Sequence, residues 1–179
     1  MLASVEATTS IPDFVEPVLL RDLWRDASYV PAAATLHDED RAAYVANLAH
    51  GGNAAAQNAM GYRSLMGLGA AEDTGEALAG FERAHANGEP VAGYNLGVMH
   101  LKGLGGAPKN ESKAAQYFEK AYRLGVWSAA DALASMLYTG SGVPMDQDRA
   151  RCVLACSVVC SSARLLLVSS CRSEQSICC

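Results

Sequence analysis

Three stretches of this chain lie over one another almost column for column: GNAAAQNAMGYRSLMGLG from Gly52, GEPVAGYNLGVMHLKGLG from Gly88 and GVWSAADALASMLYTGSG from Gly125. Ala56, Ala92 and Ala129 share a column, as do Met60, Leu96 and Leu133, and then Gly61, Gly97 and Ala134. Two glycine columns follow: Gly67, Gly103 and Gly140, then Gly69, Gly105 and Gly142. Behind them GEALAGFERAHANG from Gly75 matches SKAAQYFEKAYRLG from Ser112, with Phe81 over Phe118 and Ala84 over Ala121. The spacing is 36 residues from Gly52 to Gly88 and 37 from Gly88 to Gly125. A fixed period of this length marks a repeat architecture and decides the fold before any local reading does.

Each unit reads as two helices. Ala92, Leu96 and Met99 recur at i, i+4 and i+7, one face of a 3.6-residue helix. Gly97 beside them removes a side chain so that a neighbouring helix can approach, at a cost of about 1 kcal/mol relative to alanine that close packing has to offset. The Gly-x-Gly pair ends this helix, because glycine takes the left-handed conformation without steric cost. A second helix follows with Ala114, Tyr117, Phe118 and Ala121 facing inward, closed by Gly88 in one unit and Gly125 in the next. A pair this short cannot bury its own apolar stripe, so successive pairs must stack. The expected fold is all-α, an α-solenoid of antiparallel helix pairs with a curved surface.

Tetratricopeptide units share this helix-turn-helix plan but run about 34 residues and lack the glycine pair. The unit here resembles the Sel-one-like repeat (SLR) more closely, on Ala92, Leu96, Gly97, Gly103, Gly105, Lys113, Ala114, Tyr117, Phe118, Lys120, Ala121 and Gly125. It departs at His100, where that family usually has tyrosine, and at Gly106, where Val143 of the third unit keeps the usual valine. The first unit has a degenerate loop, AAEDTG.

The order of parts is similar to one branch of that family. VEPVLL, the acidic His37-Asp38-Glu39-Asp40 and RAAYVANLAHGGNAAAQ look like the approach to an SLR block in the adaptors of Hrd-type ubiquitin ligases. That resemblance implies a protein-binding adaptor without catalysis, working in the endoplasmic reticulum in ER-associated degradation. Its implied partners are a ubiquitin-ligase subunit, misfolded client proteins and a lectin-type co-adaptor. Asn110-Glu111-Ser112 is an N-x-[ST] acceptor and makes Asn110 a glycosylation candidate, with helix capping as the alternative role. Tyr94, Tyr117 and Tyr122 are candidate contacts or core residues, and for Tyr117 the core is expected.

Little else points to chemistry. The Gly-x-Gly turns follow no strand and lack the Gly-Lys-Ser/Thr ending of a phosphate cradle, so they are structural: Gly61, Gly67, Gly69, Gly97, Gly103, Gly105, Gly140 and Gly142 define the repeat. His85 and His50 fall near helix ends, where a cation is favoured, and His100 replaces a packing aromatic. With His37 these are the four histidines, and no two have metal-ligand spacing. No catalytic, cofactor-binding or metal residue is expected. A net charge of −5 argues against nucleic acid as a partner. The remaining rivals are a generic cytosolic scaffold and a hydrolase of the cysteine-rich bacterial SLR kind. The latter type pairs cysteines within each unit, and the first two units contain none.

All six cysteines lie from Cys152 onward. Cys152, Cys156 and Cys160 stand at i, i+4 and i+8 on the expected second helix of the third unit; one helix cannot bridge its own i, i+4 cysteines, so they read as small packing residues. SSARLLLVSSCRSEQSICC follows no repeat column and looks like a truncated or alternatively spliced end. The stretch from Cys152 to Val168 is too short and too polar to span a bilayer. MLASVEATTSIPDF has no basic run ahead of an apolar one, so taken as the true start it predicts a cytoplasmic chain. The division expected is an irregular segment 1–37, a lead-in helix 38–51, units 52–87, 88–124 and 125–160 with the third degenerate after 150, and a Cys/Ser-rich tail 161–179. Val153, Leu154, Val158 and Val159 are expected to face outward on an uncapped last unit, favouring self-association.

Overall fold

The computed structural model describes residues 38–162 apart from Gly69, with side chains placed between residues 42 and 156. The readings made for 1–37, 163–179 and Gly69 lie outside these residues. Seven helices follow one another: α1 Asp38–His50, α2 Ala54–Met66, α3 Thr74–Ala86, α4 Pro90–Lys102, α5 Glu111–Arg123, α6 Trp127–Thr139 and α7 Gln147–Ser162. Each packs mainly on the helix before and the helix after it. Contacts of this nearest-neighbour kind are what a solenoid makes, and the fold is all-α.

The same backbone device recurs at equivalent turns. Gly67, Gly103 and Gly140 follow the first helix of each pair at φ of 63°, 71° and 74°, and their N–H groups return to Arg63, Met99 and Met136. The loop is then tied back to that helix by Asp73 N–H to Ser64, Asn110 N–H to His100 and Asp146 N–H to Leu137, at 2.8 to 2.9 Å. Those three residues also start the second helix. Asp73 Oδ1 accepts from Gly75 and Glu76, Asn110 Oδ1 from Lys113, and Asp146 Oδ1 from Arg149. Each such cap satisfies an amide the helix cannot satisfy itself and contributes about 1 kcal/mol.

The second helices end alike as well. Gly52, Gly88 and Gly125 adopt φ of 87°, 90° and 90°, and the next N–H reaches back 3.0 Å to Leu48, Ala84 and Ala121. The helix leading into the repeats, α1, is therefore closed in the manner of α3 and α5. Its Val45 occupies the column of Phe81 and Phe118 and is buried with Ala56 and Ala59.

The small-residue columns show their purpose in the packing. A Cβ on Gly97 would stand 2.6 Å from Phe118 Cε1, and one on Gly61 would stand 3.0 Å from Phe81 Cδ1. Each glycine thus makes the seat for the phenylalanine ring of its own unit. Phe118 also meets Tyr94 at 5.4 Å between ring centres. In the third unit the seat is Ala134 and the ring is replaced by Leu154, which is exposed.

The second glycine of each pair does something other than end a helix. Gly105 and Gly142 have φ of 66° and 70°, and a Cβ there would overlap the backbone of Thr74 and of Glu111, respectively. These are the first residues of α3 and α5, in the preceding unit. The turn of one unit is pressed backbone to backbone on the helix start of the unit before it, and Ser141 Oγ adds a 2.7 Å hydrogen bond to Glu111 Oε2 beside that contact.

Candidate interaction surface

First helices of neighbouring units meet through a buried polar pair. Asn95 Nδ2 donates to Asn58 Oδ1 at 3.2 Å, and both residues are almost wholly buried. This bond shows that the column of Asn58 faces the following unit. Tyr94 holds the column in the second unit, buried in the cluster shared with α5 and α6. Asp131 holds it in the third. Trp127, Asp131, Ser135 and Tyr138 line one side of α6 and are all exposed, whereas the same columns of α4 are Pro90, Tyr94, Val98 and Leu101. Partial burial raises the Asp131 pKa above the ordinary carboxylate value. An aromatic rim around one carboxylate is a surface suited to a partner rather than to another apolar helix.

Second helices of neighbouring units meet across a groove. Between α3 and α5 it is filled by Tyr117. Its ring meets the His85 edge at 5.4 Å and stacks on His100 at 5.6 Å with the planes 6° apart. Lys113 Nζ lies 5.9 Å from the ring centre. Burial, and then the nearby Glu82 carboxylate, push the Tyr117 hydroxyl pKa up. Lys120 Nζ donates to His85 Nε2 at 3.1 Å, and burial followed by the Lys120 charge lowers the His85 pKa. Between α5 and α7 the groove is closed by Tyr122 and Val153, both buried, and by the Arg149 to Glu119 ion pair at 2.7 Å.

These placements correct several expectations. Tyr117 is the half-exposed tyrosine of the three, while Tyr94 and Tyr122 are the buried ones. Tyr117 sits one position before the inward Phe118, which turns it into the groove between second helices. His85 does stand in the last turn of α3, but burial and then the Lys120 charge lower its pKa and so disfavour the cation there. His100 does replace a packing aromatic, with Nδ1 3.4 Å from the Pro108 carbonyl oxygen and Nε2 buried without a partner among the described residues. Val153 points inward rather than outward, whereas Leu154 is exposed as expected. The side chains of Val158 and Val159 lie outside the description. Asn110 is exposed and caps α5 through Oδ1. Cys152 and Cys156 are half-buried on α7.

Among the described residues no group of three histidine, cysteine or acidic side chains could hold a metal, and no helix is long and apolar enough to cross a membrane. The polar stripe on α6 was missed in the sequence. It was legible there as Asp131 and Ser135 standing in the columns of Tyr94 and Val98.

The Sel1 repeat pattern matches residues 54–88, 90–126 and 127–151, more than half of the chain. The chain belongs to the Sel1 repeat family. Solved Sel1 folds agree. The chain is similar to c5321, a protective antigen of uropathogenic Escherichia coli strains with an SLR fold, at 28% identity and a TM-score of 0.62 over 65% of this chain and 25% of that one. It is equally similar to a Sel1 repeat protein from Oxalobacter formigenes, at 29% identity and 0.62 over 65% of this chain and 46% of that one. The chain thus spans less than half the length of either. No match was found among curated protein sequences. Sel1 repeats generally serve as scaffolds for protein interactions rather than as catalysts.

Proposed function

We propose that this Sel1 chain is a non-catalytic adaptor of ER-associated degradation, linking misfolded clients to a membrane ubiquitin ligase, with a lectin-type co-adaptor as a further partner. The observation that carries the adaptor reading is the exposed flank of α6, where Trp127, Asp131, Ser135 and Tyr138 take the place of an apolar, covered face. The order of parts ahead of the repeats supports the degradation role. Asn110 supports a lumenal setting: its Oδ1 caps α5, which leaves Nδ2 for a glycan without loss of the cap. Self-association belongs to the same reading, through Tyr138 and Leu154, and a monomer at all concentrations in sizing chromatography excludes it.

A scaffold of some other assembly is the second reading, favoured by the likeness to bacterial Sel1 folds. Affinity capture with mass spectrometry separates the two. The degradation reading expects a ubiquitin-ligase subunit and a lectin on the wild-type chain and their loss with Asp131→Arg. A different set lost with the same substitution replaces it with the generic scaffold. Capture unaffected by Asp131→Arg removes the α6 flank from the account.

A further inference from the structure

The groove between successive second helices occurs three times, and the three versions have different contents. The residues three, seven and ten positions after each helix cap are Glu76, Gly80 and Arg83 on α3, then Lys113, Tyr117 and Lys120 on α5, then Arg149, Val153 and Cys156 on α7. Opposite them, on the preceding second helix, stand Ala49, His85 and Tyr122. The second groove is thus packed with two rings and the third with a ring and a valine. The first has alanine and glycine in the same places.

The space those rings would fill is open. A cavity of about 350 Å³ lies between α1, α2 and α3, lined by Ala46, Ala49, His50, Gln57, Met60, Glu76 and Arg83, a volume at the lower end of the range for ligand sites. Gln57 does not collapse into it, being held by its Nε2 to the Ala49 carbonyl oxygen at 3.1 Å and by its Oε1 to Asn87 at 2.8 Å. Nor can α3 supply its own ring, because a Cβ on Gly80 would stand 2.9 Å from Gly61 Cα. The Arg83 guanidinium reaches two turns back along α3 to Glu76 at 2.9 Å, past the position where Gly80 offers no side chain. In the next groove those two columns are Lys113, whose Nζ lies 5.9 Å from the Tyr117 ring centre, and Lys120, which meets His85.

We propose that this cavity is a binding site for an aromatic side chain, a tyrosine presented by a partner protein, which takes up the place that Tyr117 fills in the adjoining groove. The ring enters beside Met60 and Ala49, and Arg83 lies against its face as Lys113 lies near that of Tyr117, an arrangement favoured by the ring quadrupole. The partner's arrival on a scaffold rests on the function proposed above; the capacity of the cavity for a phenol does not, and it is tested separately.

The probe is p-cresol, the tyrosine side chain itself, titrated into the full chain and followed by amide chemical shifts. The expected result is saturable shifts at Ala46, Ala49 and Met60. Ala49→Tyr, which installs a side chain the same column carries as Tyr122, should weaken binding at least tenfold. Tyr117→Ala should open a second site with new shifts at His85 and Gly93. Absence of saturable shifts in the wild-type groove, or shifts that persist unchanged in Ala49→Tyr, overturns the proposal. If Ala49→Tyr does not fold, the count of sites in Tyr117→Ala decides: two sites support the proposal, and one or none refutes it. Failure of the partner capture described above with p-cresol binding intact would sink the adaptor role and leave the site.

Discussion

Gly105 and Gly106 are adjacent, both have positive φ, and only one touches anything. A Cβ on Gly106 meets no atom within 4 Å, so Gly106→Ala should cost only the strain of the left-handed conformation, about 1 to 2 kcal/mol. Gly105→Ala adds a collision with the Thr74 backbone, and the unit must shift off its neighbour; we expect at least twice that loss in denaturant titrations. Equal costs for the two would mean that the backbone-to-backbone seat between units does not exist. Acid should also weaken the fold through named residues. The folded-state pKa of His85 lies below its unfolded value, so its contribution is present above the unfolded pKa of about 6.5 and is lost as the pH falls through the folded one. Glu111, held low first by the Ser141 hydroxyl and then by Lys109, loses its contribution in the same direction in the acid range below it. The melting temperature should therefore fall from pH 7.5 to pH 5.5, and the fall should be smaller in His85→Gln. An unchanged fall in that variant would place the titration elsewhere.

At the scale of the helix, much was readable because one residue type does one job at each column. The Ala, Leu, Gly and Phe columns announced two helices per unit, and Asn110, legible as a helix cap, does start the second helix of its unit; Asp73 and Asp146 do the same in the other two units without having been read that way. What could not be read was partnership between units. A period aligns Gly105 with Gly142 but does not say that each presses on Thr74 or Glu111 of the unit before. It places Tyr117 beside Phe118 on a helix face without saying that one turns inward and the other into the next groove, since 100° of rotation separates neighbours. The paired asparagines show the same limit: Asn58 and Asn95 sit in different columns, so no alignment joins them. Across the next interface those columns hold Tyr94 and Ala132, an apolar solution to the same packing problem. Removing one asparagine takes this bond from a buried amide, at a cost of about 1 to 3 kcal/mol, more than the bond itself is worth. A double-mutant cycle on Asn58→Ala and Asn95→Ala should give a coupling of about 1 kcal/mol, measured by urea unfolding. Additive losses would show that the two amides do not stabilise one another.

At the scale of the molecule, the described residues form a row of nearly equal units, and the proposed function rests on the differences between them. Structural columns are kept from unit to unit, whereas the open places are where they change: Gly80 and Ala49 at one groove, Asp131 and Ser135 on α6. Sel1 membership follows from the kept columns, and the proposed adaptor role rests on the changed ones. Asp131 is exposed on α6, so reversing its charge should leave the fold intact and alter only what binds. Side-by-side affinity capture on wild-type chain and Asp131→Arg, with equal melting temperatures confirmed for both, is the most direct measurement. The account predicts a reproducible set of proteins on the wild type that is depleted at least tenfold on the variant. The same set in the same amounts on both would contradict it.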